Sequence, residues 1–172
     1  MPGIVAHFDV SRERSIKAIE VAMMGEQKVF LVTQKDLEKE KPQIDDLYRM
    51  GILAGIKQVV KMKNGIVRIL VEGEQRAELS ALAQQQDYLL SEVFLIEEDA
   101  ASYSEEVQEG MIRAVREAYG RYAALNPRLG SDFLRQMTEL KDAGKLMDFI
   151  VSQMQVYYEE KQKYLEAVTL EE

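Results

Sequence analysis

The strongest constraint in the sequence is a stretch, residues 50–79, in which apolar and polar residues alternate on both sides of Asn64-Gly65. Successive side chains of a strand point to opposite faces, so such alternation is typical of strands with one buried and one wet face. Asn and Gly both accept positive φ, which a two-residue type I′ turn requires. The stretch therefore predicts a long β-hairpin. Because an isolated hairpin is marginally stable, the rest of the chain must cover its apolar face.

The alternation also assigns the two faces of the hairpin. One set of alternate residues in the first strand of the hairpin is expected to be buried, namely Ile52, Ala54, Ile56, Gln58, Val60 and Met62. Val59 lies between Lys57 and Lys61 in the other parity, so we expect it on the wet face. On the returning strand the buried parity is Val67, Ile69 and Val71. Gly73 then predicts a bulge or a sharp bend.

Shorter elements precede and follow the hairpin. Residues 4–10 are predicted to form a strand, followed by a helix with Ser11 as N-cap and Gly25 as a left-handed C-cap. Residues 29–33 form a continuous apolar run that predicts a buried strand. Residues 34–46 are expected to be a loop, and residues 88–96 a last strand.

After Glu97-Glu98-Asp99 the pattern becomes helical to the end of the chain. Ser102 and Glu105 fit a capping box, and the first helix is expected to bury one stripe, namely Val107, Met111, Val115, Ala118 and Tyr122. Asn126-Pro127 is expected to end this helix, and three shorter helices follow. Strands followed by helices predict an α+β fold. We therefore expect a β-rich subdomain over residues 1–99 and a helical subdomain over residues 100–172.

Composition excludes several classes of function. The 172 residues contain no cysteine and one histidine, His7, so thiol chemistry is excluded and a zinc site or a histidine-based triad is disfavoured. No phosphate-binding or dinucleotide-binding glycine motif is present. We therefore expect no catalytic residues, no metal and no cofactor. No apolar run spans a membrane and the first residues lack a signal peptide, so a cytoplasmic location is expected.

The charge distribution bears on nucleic-acid binding. The net charge is −8, whereas nucleic-acid binders usually present a basic face that neutralises phosphates. Lys57, Lys61 and Lys63 are compatible with a small basic patch or with an ordinary solvated surface, and the second interpretation is favoured.

Several segments together resemble the amino-terminal domain of the ATP-dependent Lon proteases. Around the hairpin these are Ile56-Lys57-Gln58, Asn64-Gly65, Val67-Arg68-Ile69-Leu70-Val71-Glu72-Gly73 and Arg76. Elsewhere they are Pro2-Gly3-Ile4, His7-Phe8-Asp9-Val10-Ser11-Arg12, Ser15-Ile16-Lys17-Ala18-Ile19 and Asn126-Pro127-Arg128. Each is a turn or a core pattern, and their order and spacing over nearly the whole chain carry the resemblance.

The resemblance implies a PUA-like pseudo-barrel for the β-rich half. It also implies a non-catalytic domain for substrate recognition and assembly, because the ATPase and serine–lysine protease parts of Lon proteases lie further along the chain. The expected ligands are unfolded or degron-bearing proteins, bound through apolar contacts. The alternative is RNA, since PUA-like barrels elsewhere bind RNA, although the acidity of the chain and the lack of a clustered aromatic–basic surface oppose it.

Four residues are the candidate substrate-binding site: Met23, Met24, Val59 and Met62. Methionine is flexible and polarisable, which suits promiscuous apolar recognition, although ordinary core packing explains each methionine taken singly. The family usually has a further apolar strand before Pro2-Gly3, so we expect an unpaired strand edge here. That edge predicts a dimer of this chain, formed by strand pairing or by exchange of the amino-terminal segment, and the alternative is a monomer in which another part of the chain covers the edge. The resemblance implies a hexamer in the full protease.

Overall fold

The computed structural model describes residues 1–84, 87–97, 103–124 and 131–168. Contacts divide the chain into two compact units, Met1–Glu97 and Glu98–Glu172. The first unit contains every strand of the described chain, and the second contains four helices. The α+β fold class expected from the sequence is therefore confirmed.

In its described residues the first unit is a curled antiparallel half-barrel of five strands with one α-helix. The strands are β1 (Val5–Val10), β2 (Lys28–Leu31), β3 (Met50–Lys61), β4 (Val67–Gln84) and β5 (Leu89–Leu95), and the helix is α1 (Glu13–Met23). The sheet order is β1-β4-β3-β2, and β5 pairs with the carboxyl-terminal part of β4. The long hairpin expected from the alternation is present, and its two strands are the central ones of the sheet.

The core of this unit lies on one face of the hairpin. Val67, Ile69 and Val71 are at most 6% exposed, which confirms the predicted buried parity of β4. Ile52, Ala54 and Ile56 of β3 are buried as well, and so is Ile19 of α1. Burial of apolar surface of this kind is the main stabilising contribution to a fold.

The hairpin loop has three residues, not the expected two. The register runs to Lys61↔Val67, and the N–H of Met62 donates to the carbonyl of Ile66 at 2.8 Å, which leaves residues 63–65 as the loop. Asn64 and Gly65 do adopt positive φ, 71° and 74°. Their left-handed backbone is as predicted, but one more residue closes the loop.

Two irregularities interrupt the register between β3 and β4. One leaves Glu74 unpaired beside Gly73, which confirms the bulge expected there. The other leaves Lys57 as an extra residue between Ile56 and Gln58. An extra residue inverts the alternation that follows it. The parity assigned to 58–62 is therefore wrong: Val59 is half-buried on the apolar face and Val60 is 41% exposed.

Both expected caps of α1 are wrong. The N-cap is Arg12, and no side chain caps the first turn. The left-handed residue after the helix is Gln27, with φ 59°, whereas Met24 at the C-cap is right-handed. The predicted strand 29–33 is β2, which begins one residue earlier and is half-buried rather than fully buried.

Arg12 and Gln34 organise the predicted loop 34–46. Arg12 donates from Nη1 to Gln34 Oε1 at 2.8 Å and from Nη2 to the Leu37 carbonyl at 3.3 Å. The Gln34 amide donates to the carbonyls of Asp36 and Lys39, and the side chain is only 9% exposed. A buried amide with all these partners pins an otherwise irregular segment beside the start of α1.

The second unit contains α2 (Glu105–Ala124), α3 (Ser131–Glu139), α4 (Ala143–Gln153) and α5 (Tyr158–Glu166). Its core includes Ile112, Tyr119, Met137, Leu146 and Ile150. The stripe predicted for α2 is rotated: Met111 and Val115 do face the core, but Val107 and Tyr122 are 44% and 48% exposed. Ile112 and Tyr119 take the buried positions.

Side chains cap two helices of this unit. Ser104 Oγ accepts from the Val107 N–H at 3.4 Å, and Asp142 Oδ1 accepts from the Lys145 N–H at 2.9 Å. The expected capping box at Ser102 and the expected helix end at Asn126-Pro127 lie outside the described residues.

Arg116 of α2 binds the carboxyl end of α3. Its guanidinium donates to the carbonyls of Met137 at 3.3 Å, Thr138 at 2.9 Å and Leu140 at 2.7 Å. The last carbonyls of a helix have no partner within the helix, and a cation there also interacts favourably with the helix dipole. One side chain thus holds two helices together.

Candidate functional site

An apolar groove of about 320 Å³ lies between α1 and the hairpin in the first unit. Six of its lining residues are apolar: Ile16, Ile19, Met23, Met24, Val59 and Val67. The other two, Glu20 and Lys61, are charged. A concave apolar site with a few polar groups is the usual form of a ligand-binding site.

The groove follows from the way α1 lies over the sheet. Ile16, Ile19 and Met23 recur at i, i+3 and i+7, so they share one face of the helix. Val59 and Val67 extend inward from β3 and β4. Ile19 and Val67 are buried, whereas Met23 and Met24 are 38% and 80% exposed at the carboxyl end of the helix. The groove is therefore buried at its base and exposed at its rim.

Glu20 and Lys61 form an ion pair across the groove. Lys61 Nζ lies 3.3 Å from Glu20 Oε1, and Lys17 Nζ lies 3.6 Å from Glu20 Oε2. The hydrogen bond from Lys61 is the largest cause that lowers the pKa of Glu20 below its ordinary value of 4.5. Glu20 is therefore ionised at neutral pH. The pair is solvent-exposed, so it contributes little stability and opens readily.

The structure brings three of the four candidate residues together. Met23, Met24 and Val59 line the same groove, although Val59 reaches it only because the bulge at Lys57 turns it inward. Met62 is 42% exposed at the end of the hairpin and does not line the groove. Sequence reasoning missed Ile16, Ile19, Glu20, Lys61 and Val67 as lining residues. The i, i+3, i+7 spacing that ends at Met23 was the available signal for the first two.

Two of the three hairpin lysines are neutralised by neighbours. Lys57 lies 2.7 Å from Glu72, and Lys61 pairs with Glu20. Lys63 is exposed in the loop. This arrangement agrees with a solvated surface and gives no continuous basic face of the kind that nucleic-acid backbones require.

Within the described residues, no cluster of three or more His, Cys, Asp or Glu side chains is placed to hold a metal ion. None of the helices in the described part of the chain combines the length and apolarity needed to cross a bilayer.

A curled antiparallel half-barrel with a following helical unit places the chain in a class of α+β domains. The chain belongs to the family of the ATP-dependent protease La (LON) substrate-binding domain, whose model matches residues 1–172. The resemblance noted in the sequence is thereby confirmed.

Relatives and solved structures agree with this assignment. The chain is 39% identical over 172 residues to a Lon protease of Lachnoclostridium phytofermentans, covering 100% of this chain and 21% of that protein. It is 33% identical over 171 residues to a Lon protease of Brevibacillus choshinensis, covering 99% and 22%. The chain thus spans about a fifth of the length of the curated relatives it matches.

The fold matches solved structures of the same kind. The N-terminal domain of a Mycobacterium avium complex Lon protease matches with a TM-score of 0.71 at 21% identity, covering 98% of this chain and 84% of that one. A Lon N-terminal domain protein from Xanthomonas campestris matches with a TM-score of 0.64 at 12% identity, with the same coverage. At these identities the likeness concerns the fold.

Proposed function

We propose that this chain is the non-catalytic substrate-recognition and assembly domain of a cytoplasmic Lon-type protease, and that it holds apolar segments of unfolded or degron-bearing proteins in the groove between α1 and the hairpin. The observation that carries the proposal is the groove itself, with exposed methionines at its rim. Met23 and Met24 adapt to different side chains because methionine has several rotatable bonds and a polarisable sulfur. Met62, at the end of the hairpin, is an outlying contact for a segment that extends beyond the groove.

A groove of about 320 Å³ contacts only a short part of an unfolded chain, so each contact is weak. Weak contacts become useful when several copies of the domain act together, because the second binding event is then intramolecular. Assembly of the full protease, as a hexamer, supplies those copies in this proposal. The domain needs no cofactor, and the chemistry of peptide cleavage and ATP hydrolysis belongs to other parts of the protease.

The binding experiment uses a matched pair of valines. Reduced, carboxymethylated α-lactalbumin cannot refold, and it is titrated into the isotope-labelled 172-residue chain while chemical shifts are followed. Val59→Thr should weaken binding by roughly threefold to tenfold, because it places a hydroxyl in the groove without changing shape. Val60→Thr makes the same chemical change on the opposite face of the same strand and should leave binding unchanged.

The methionines separate the groove from a general apolar surface. Met24→Ser should weaken binding on the order of tenfold, and Met62→Ser should weaken it less. Shift changes confined to the helical unit, or equal losses in Val59→Thr and Val60→Thr, would reject the groove as the site. The pure chain should also show no ATP-dependent cleavage of casein, and measurable cleavage would contradict the non-catalytic assignment.

A further inference from the structure

The groove is bordered by an open edge of the sheet. β2 pairs with β3 only from Leu31↔Ile52 to Lys28↔Gly55, and the Gln27 carbonyl then accepts from the Ile56 N–H at 2.7 Å. Within the described residues, no strand continues the pairing of β2 with β3 along residues 57–61. The part of β3 that contributes to the groove therefore has one paired edge and one open edge.

The backbone groups of two groove residues point to that open edge. In an antiparallel strand the N–H and C=O of one residue share an edge, and those of the next residue point to the other edge. The N–H of Met62 donates to the carbonyl of Ile66 on the β4 side of the hairpin, and the N–H and C=O of Val60, two residues earlier, point to the same side. The N–H and C=O of Val59 and Lys61 therefore point away from β4. Their side chains line the groove, so hydrogen-bonding groups and apolar surface lie together.

We propose that an extended segment of an unfolded protein adds to this edge as an antiparallel strand in line with β2, and that its alternate side chains enter the groove. The inference rests on the proposed function, since it specifies how the same groove holds the same ligand. Main-chain hydrogen bonds supply affinity for almost any sequence, and pockets for alternate side chains supply preference. A recognition domain for many unfolded chains needs this combination.

The cross-strand neighbours define the preferred segment. The residue opposite Val59 projects toward Met23 and Met24, so an apolar side chain fits there. The residue opposite Lys61 lies two positions away on the same face, where an acidic side chain makes a favourable cross-strand pair. Lys61 is free to make it because its pair with Glu20 is exposed. The preferred segment therefore has an apolar and an acidic residue separated by one residue.

A second copy of this chain is a poor occupant of the edge. Residues 57–63 carry Lys57, Lys61 and Lys63 and no acidic residue. Antiparallel pairing of two copies of this segment would bring their lysines close together, and like charges across a strand pair are destabilising. Lys61 can instead exchange its exposed pair with Glu20 for an acidic residue of an added segment of another protein.

The test uses a short acetylated and amidated peptide that contains glutamate, threonine and phenylalanine in that order, with threonine at the other positions. This order is required because an antiparallel segment lies opposite Lys61 first and opposite Val59 two residues later. In the proposed arrangement the amides of the phenylalanine and the glutamate point at β3, and the threonine amides point to solvent. N-methylation of the phenylalanine and glutamate amides should weaken binding about tenfold or more, because it removes the two hydrogen-bond donors that point at β3. N-methylation of the flanking threonines instead is the matched control and should change binding less than about twofold.

Amide hydrogen exchange of the protein supplies the second readout. Bound peptide should slow exchange at Val59 and Lys61, while Gln58 and Val60, already directed toward β4, should change little. Strand addition would be overturned if the two N-methylated peptides lost binding equally, or if methylation of the flanking threonines weakened binding more. It would also be overturned if the unmodified peptide did not bind. Protection of Val59 and Lys61 that rises with protein concentration alone would show a second copy at the edge and would also overturn it. If α-lactalbumin still binds the groove in any of these cases, the proposed function stands without this mode of binding.

Discussion

Replacing Arg116 with methionine should destabilise the helical unit more than most substitutions at partly exposed helix positions do. The guanidinium makes two good hydrogen bonds, to the carbonyls of Thr138 at 2.9 Å and Leu140 at 2.7 Å, and a longer one to Met137 at 3.3 Å. Hydrogen bonds to charged groups contribute roughly 1.5–3 kcal/mol each when well formed. Methionine keeps most of the apolar stem, so the loss isolates the guanidinium.

The exposed setting reduces the sum of these contributions. The Thr138 contact is exposed, and its carbonyl regains water when the donor is removed. The Met137 and Leu140 contacts are partly buried and are not fully compensated. We therefore expect a loss of about 2 kcal/mol, the value of one buried contact together with the interaction of the cation with the dipole of α3.

Urea denaturation of the whole chain measures this loss, with the methyl signals of Met137 and Leu146 as reporters of the helical core. At slopes of roughly 1–3 kcal/mol per molar urea, a loss of about 2 kcal/mol lowers the midpoint by about 1 M. Arg113→Met is the matched control, because Arg113 is an exposed residue on the same helix one turn earlier. Equal midpoints for the two variants would refute the role assigned to Arg116.

Four further predictions concern the first unit. Gly65→Val should cost on the order of 1 kcal/mol or more, because φ is 74° and a β-branched residue resists it; an unchanged urea midpoint would contradict this. Hydrogen bonds from Arg68 lower the pKa of Asp9 below 3.8, so they stabilise the folded chain above pH 3.8. Arg68→Gln should therefore be less stable than the unchanged chain near neutral pH, and the two stabilities should converge as the pH falls below 3.8. Light scattering should show self-association through β1, whose Phe8 is 45% exposed, and a constant monomer mass would exclude it. Residues 1–99 alone should give a dispersed NMR spectrum, since their core uses their own side chains, and a collapsed spectrum would show that the units fold together.

Local pattern was sufficient for the kind and order of the elements. The hairpin, the bulge beside Gly73 and the change to helices near residue 97 all follow from features that lie within a few residues of one another. The helix faces were harder, because a stripe such as Met111 and Val115 fixes a helix face only to within about one position. Ile112 and Tyr119 are buried because α3 and α4 pack against that side, which no residue of α2 reveals.

The same limit explains the caps of α1. Ser11 and Gly25 are favourable cap residues, yet the chain places Arg12 and Gln27 in the special positions. Arg12 is held by Gln34, and the carbonyl of Gln27 by the N–H of Ile56. Contacts distant in sequence outweigh a preference that is typically about 1 kcal/mol.

The extra residue at Lys57 decides what the groove is made of. In a strand without it, the parity of Ile56 would direct Gln58 and Val60 inward and leave Val59 and Lys61 outside. Because of the bulge, Val59 lines the groove in place of the polar side chain of Gln58, and Lys61 reaches Glu20 on α1. Lys57 itself remains on the outer face, 2.7 Å from Glu72 of the neighbouring strand. The sequence around Lys57 does not locate this bulge, because its cost and benefit lie in the pairing of β3 with β4. A single register shift therefore decides which side chains of β3 line the groove.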